Sequence, residues 1–124
     1  MTDKEERLER GLDMLKQMGR EGTMLDQKEL YPNLYEMSAG HVFGNVWSRP
    51  HLTLRERQLI TLAANIALCR PTGNHSHYKS AKHLGISHEE IMETIIQVGH
   101  YSGWPAMARA VKQYQEVLDE DDKV

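Results

Sequence analysis

Thr53-Leu-Arg-Glu-Arg-Gln-Leu-Ile-Thr-Leu-Ala-Ala-Asn-Ile-Ala67 carries the pattern on which the fold reading turns. Thr53 and Glu56 stand three residues apart, the spacing of a capping box in which each side chain satisfies the other's backbone amide. Leu59, Leu62, Ala63 and Ile66 then return at steps of three and four, the period of one helix face. Pro71 marks the stop. Upstream, Pro50 disfavours helical geometry at Arg49, so Trp47-Ser48-Arg49-Pro50 separates this helix from what precedes it. Leu30, Leu34 and Met37 predict a helix over about residues 28–44. Thr2 and Glu5 form another capping box ahead of Leu8, Leu12 and Leu15, a first helix reaching about Gly19-Arg20.

Downstream the same grammar repeats. A short helix from about Asn74 to Leu84 stops at Gly85, a residue suited to the left-handed position after a helix. Ser87-His88-Glu89-Glu90 caps a helix expected to bury Ile91, Ile95 and Val98. Gly103 breaks it, Pro105 suits the opening of the next, and Ala108, Val111, Tyr114 and Leu118 are expected to carry the last core face. Met14, Met18, Met37 and Met92 fall in helical segments as gap-filling core residues. No segment alternates with period two long enough for a strand. The expectation is an all-α, six-helix domain over residues 1–124, with a short frayed acidic tail from Asp119 to Asp122.

Composition narrows the class of function. The 124 residues hold 15 Lys and Arg against 18 Asp and Glu, a net charge of −3, with the basic residues scattered. No basic stripe is present to neutralise phosphates, so nucleic acid is not an expected partner. Cys69 is the only cysteine, which excludes an intramolecular disulfide and any Cys-x-x-Cys site. The longest apolar stretch, Leu59 to Leu68, is half of the roughly 20 residues a bilayer requires. The first residues are charged, without the apolar core of a leader peptide. A cytoplasmic chain without a membrane partner is expected.

Three stretches resemble the carboxymuconolactone decarboxylase family. His41-Val-Phe-Gly-Asn-Val-Trp-Ser-Arg-Pro50 is similar to its pattern of His, aromatic, Gly-Asp, Trp, Ser/Thr, Arg-Pro. Leu54-Arg-Glu-Arg-Gln-Leu-Ile-Thr-Leu-Ala-Ala64 is similar to its long apolar helix. The third is His77 with Ala81 and Gly85-Ile-Ser-His-Glu-Glu-Ile91, running into Tyr101-Ser-Gly-Trp-Pro-Ala106. The likeness covers roughly residues 6–118. The chain departs from the pattern at Asn45, where the family usually has Asp. It departs again at Gly73, where the family often has Glu four residues before its histidine.

The resemblance implies an alkylhydroperoxidase D-like helical fold assembled as a homo-oligomer, a trimer or hexamer. It implies decarboxylation of 4-carboxymuconolactone, or a similar small-molecule carboxylate of aromatic catabolism, without a metal or organic cofactor. Such chemistry needs a donor for a developing oxyanion, an acid to reprotonate carbon, and a poorly solvated carboxylate. His77 is the leading acid/base, since imidazole titrates near working pH; its structural alternative is a capping or surface histidine. Arg49 suits a two-pronged grip on a carboxylate, or else a salt bridge. Tyr101 suits the oxyanion, or plain packing. His41 and His100 are further candidates for substrate binding, and Trp47 and Trp104 are candidate pocket walls or core aromatics.

His75 joins the catalytic candidates because it neighbours His77, but two residues along a helix point about 200° apart. The pair therefore does not read as a metal chelate. Two other classes compete with the lyase: a related enzyme of changed reaction, such as an isomerase or keto-acid cleaver, and a non-catalytic oligomeric binding protein. Thiol peroxidase chemistry, which needs a paired cysteine, is not expected from Cys69 alone.

Overall fold

The computed structural model describes residues 1–121 and is all-α, with no strand among them. Among the described residues, seven α-helices and one π-helix replace the six expected helices. They gather into two compact units, one from Met1 to Leu54 and one from Arg55 onward.

The first unit opens with α1 (Asp3–Gln17), whose capping box forms as read: the Thr2 hydroxyl accepts from the Glu5 amide. The Gly19 amide bonds to the Lys16 carbonyl at 3.1 Å and that of Arg20 to Leu15 at 2.7 Å, a Schellman end with Gly19 at φ 73°. The expected 28–44 helix is instead three pieces: α2 (Leu25–Leu30), α3 (Pro32–Tyr35), and a π-helix, Glu36–Val46, that continues α3 directly. Tyr31 is extended before Pro32, which lacks an amide to continue the ladder.

That break resets the helical phase, so the core face predicted there is wrong. Leu30, Leu34 and Met37 are exposed, and Tyr35, Ala39, Phe43 and Trp47, at steps of four, are buried with Leu15 and Met18. In this unit α1 crosses the π-helix on glycine. A Cβ on Gly11 would strike the Ala39 carbonyl oxygen, and one on Gly44 that of Arg7. Arg7 locks the crossing through Nε, which donates to Glu36 at 2.8 Å.

The second unit holds α4 (Leu54–Ala67, from its second residue), α5 (Asn74–His83), α6 (His88–Ser102) and α7 (Trp104–Asp121). Its core joins Leu62, Ile66, Tyr78, Ala81, Ile91, Ile95, Ala110, Tyr114 and Val117. Gly85, at φ 80°, ends α5 as expected, and the Ser87–Glu90 capping box forms in both directions. Cys69 takes the same left-handed role after α4 at φ 53°, with Arg70 donating to the Asn65 carbonyl at 3.1 Å. That helix therefore closes four residues before Pro71.

On α7 half of the predicted face holds: Tyr114 is in the core and Leu118 packs partly buried against it. Ala106, Ala110, Gln113, Tyr114 and Val117 are buried, whereas Ala108 and Val111 are exposed. The cause is Gln113, a polar residue in the buried stripe whose Nε2 donates to the Arg70 and Pro71 carbonyls. Counting apolar residues alone skipped it. Asp119 to Asp121 are helical rather than frayed, and Asp122 lies outside the described residues. No helix among those residues is long and apolar enough to cross a membrane.

Candidate active site

In the second unit a buried polar cluster forms where α4 meets α5. The buried stripe of α4 is Gln58, Leu62 and Ile66, one face at steps of four. Two of the three are ordinary core residues. Gln58 is fully buried, and its Nε2 lies 3.1 Å from His77 Nδ1 and 3.0 Å from the His77 carbonyl oxygen. About two turns further along α4, Asn65 Nδ2 donates to Asn74 Oδ1 at 3.2 Å, and Asn74 is fully buried as well. Two amide side chains therefore stitch α4 to α5.

α5 presents His77 beside the face that buries Asn74, Tyr78 and Ala81, which leaves the imidazole half-buried. Tyr78, its neighbour in sequence, points into the core, donating to the Ala110 carbonyl at 3.4 Å with its ring 5.2 Å from that of Tyr114. Burial, reinforced by Tyr114, pushes the Tyr78 phenol far above its usual range, so it holds its proton. Tyr78 is a structural group here.

Gly73 precedes α5 at φ 90°, a backbone region that suits glycine. Space is open around a Cβ there, so conformation, and not crowding, disfavours the acidic residue common in the resembled family.

The other predicted residues fall in different places. His75 turns away from His77 as helical spacing requires, and its Nε2 meets Glu116 on α7 at 2.8 Å. Trp47 belongs to the core of the first unit, stacked on Phe43 with centroids 5.8 Å apart. Arg49 is exposed in the turn after the π-helix, and His51 beyond it holds φ 81°. His41 is exposed, with Nδ1 at 3.5 Å from Asn45 Nδ2, while Asn45 Oδ1 accepts from Arg10 at 2.9 Å.

Tyr101 and Trp104 are 87% and 74% exposed. Trp104 borders an apolar cavity of about 430 Å³ with Met92, Ile95, Ile96, Met107 and Val111. His100 bonds back to the Ile96 carbonyl through Nδ1 at 2.7 Å. Among the described residues, no three His, Cys, Asp or Glu side chains converge as metal ligands would.

The sequence reading missed Gln58. It was nonetheless legible as the one polar member of a stripe shared with Leu62 and Ile66.

Comparison with known proteins bears on the same segments. The model of the carboxymuconolactone decarboxylase family matches residues 32–116, which include Arg49, Gln58, His77 and Tyr101 and begin after α1. A 4-carboxymuconolactone decarboxylase from Acinetobacter baylyi is 34% identical over 76 residues, 61% of this chain. The match spans 57% of that enzyme's length. A family match that runs from α3 through most of α7 fixes the kinship: the chain belongs to the carboxymuconolactone decarboxylase family.

Proposed function

We propose that this chain is a cofactor-independent carboxy-lyase acting on 4-carboxymuconolactone or a similar carboxylated lactone or keto acid, with His77 at the reacting atoms. One observation carries the reading: within the family match, a fully buried glutamine spends both of its amide hydrogens on His77. A surface or capping histidine needs no such anchor. A ring that must meet a substrate in one orientation does.

In the proposed reaction the bond from ring carbon to carboxylate breaks. Its electron pair passes through the ring onto the carbonyl oxygen, carbon dioxide departs, and a proton ends on the carbon. His77 serves that charge as it develops, by hydrogen bond or by proton. Arg49 is assigned to the substrate carboxylate, for which a planar guanidinium is the matching group. His75, engaged with Glu116, is assigned to joining α5 and α7. Tyr101 and Trp104, so exposed on one chain, are assigned to contacts between copies in a homo-oligomer.

The test is carbon dioxide release from a panel of lactone and keto acids, with products identified by NMR. Release with formation of an enol-lactone supports the reading. One structural fact favours a second reading, an enzyme of the same fold and a changed reaction: Gly73 at φ 90° stands where the family often has Glu. Substrate turnover to an isomer, without carbon dioxide, selects that one.

A further inference from the structure

A glutamine amide has two hydrogens and one acceptor oxygen, and at Gln58 the assignment of its ends is forced. The His77 carbonyl oxygen, 3.0 Å from Nε2, can only accept, so the NH2 group must face it. Rotating the amide by half a turn would set Oε1 against that carbonyl, oxygen to oxygen. The orientation is kept although Oε1 is then buried with no hydrogen-bond partner among the described residues.

The second hydrogen of the same NH2 group points to His77 Nδ1 at 3.1 Å. Nδ1 must therefore present its lone pair. An imidazolium, or the tautomer protonated at Nδ1, would put two N–H groups head to head.

We infer that Gln58 is a positioning residue that holds His77 as the neutral imidazole with its proton on Nε2. The inference rests on the assignment of His77 to the reaction and refines its role. A neutral imidazole is a poor proton source, since giving up its proton would leave an imidazolate. It is a good hydrogen-bond donor to an enolate-like oxygen. His77 then stabilises the oxyanion through Nε2–H, and the proton that replaces carbon dioxide on carbon comes from water. The balance is one carboxylate and one water giving the decarboxylated lactone, carbon dioxide and hydroxide, the last two combining as bicarbonate.

Ring nitrogen-15 correlation spectra of the native protein at pH 7.5 test this without any activity, with His77→Ala identifying the resonances. The expected pattern is a protonated Nε2 and a bare Nδ1. A protonated Nδ1 in the native protein overturns the inference. Two variants add independent arms. In Gln58→Met, which keeps side-chain length and removes the donor, the two nitrogen shifts move toward each other as tautomers exchange. There kcat falls about 10-fold with KM within about 2-fold; unchanged shifts and unchanged kcat overturn the role of Gln58. In Gln58→Glu, a carboxylate at Nδ1 draws a proton onto that nitrogen, and a bare Nδ1 there counts equally against it. Full turnover in His77→Ala would instead remove the functional reading while leaving the tautomer result standing.

Discussion

Replacing Gly11 by Ala in the middle of α1 should destabilise the first unit, against the usual sign for that substitution in a helix. Helix propensity alone would favour alanine by about 1 kcal/mol. The crossing reverses this. An added Cβ would overlap the Ala39 carbonyl oxygen, lie 2.7 Å from its carbon and sit 3.1 Å from the Gly44 amide nitrogen. None of these is a side chain that can swing aside. Restoring ordinary contact requires α1 to retreat from the π-helix by roughly 1.5–2 Å, which loosens Leu15 and Met18 from Phe43 and Trp47.

Overpacking of this kind costs about 3 kcal/mol, leaving a net loss of about 2 kcal/mol after the propensity gain. Gly40→Ala is the control, because its Cβ would meet side-chain atoms and no backbone, Glu36 Oε1 at 3.3 Å and Arg7 Cγ at 3.4 Å. Urea unfolding followed by Trp47 fluorescence, with Trp104 changed to Phe, reads the first unit directly. Gly11→Ala should lower the midpoint by about 1–2 M and Gly40→Ala by much less. A Gly11→Ala variant as stable as the control, or more so, refutes the backbone crossing.

Cys69→Gly should raise stability by about 0.5–1 kcal/mol, since glycine relieves a left-handed residue after α4 at the expense of unfolded-chain entropy; thermal unfolding checks it. Burial raises the folded pKa of Tyr78 above its unfolded value near 10. Its contribution is intact below about pH 10 and lost as pH climbs beyond, because only the unfolded chain ionises. Tyr78→Phe should flatten that alkaline decline in denaturant titrations. Arg49→Lys should raise KM for the acidic substrate about 10-fold with less effect on kcat, as a point charge replaces a fork; a KM at the native value argues against the carboxylate grip.

Local chemistry made much of the fold readable. Thr2, Ser87 and Gly85 act through bonds to residues within a turn or two, and each stands where its sequence neighbours imply. Most of the failures arise where a distant contact decides; the break at Pro32 is local, a proline signal of the same kind as Pro50 and Pro71. Tyr31 and Pro32 reset the phase of a stretch whose apolar spacing reads as one helix, and nothing local announces that α3 widens into π geometry. Gln113 and Gln58 defeated the rule that polar residues face water, because each meets acceptors brought from elsewhere in the chain: the Arg70 and Pro71 carbonyls of the α4–α5 loop, and His77. His77 itself was legible only through family likeness, whereas its divergence from His75 followed from helical geometry alone. Gly73 shows the reverse case, where a departure from the family pattern acquires a cause only once its backbone angle is known.

The proposed role of His77 in the loss of carbon dioxide from a carboxylated lactone can be put to a single comparison. It sets carbon dioxide release from 4-carboxymuconolactone by the native chain against that by His77→Ala of matched helicity and melting temperature. Release by the native chain and a loss of at least about 100-fold in the variant are expected. Equal rates from both proteins would remove His77 from the reaction.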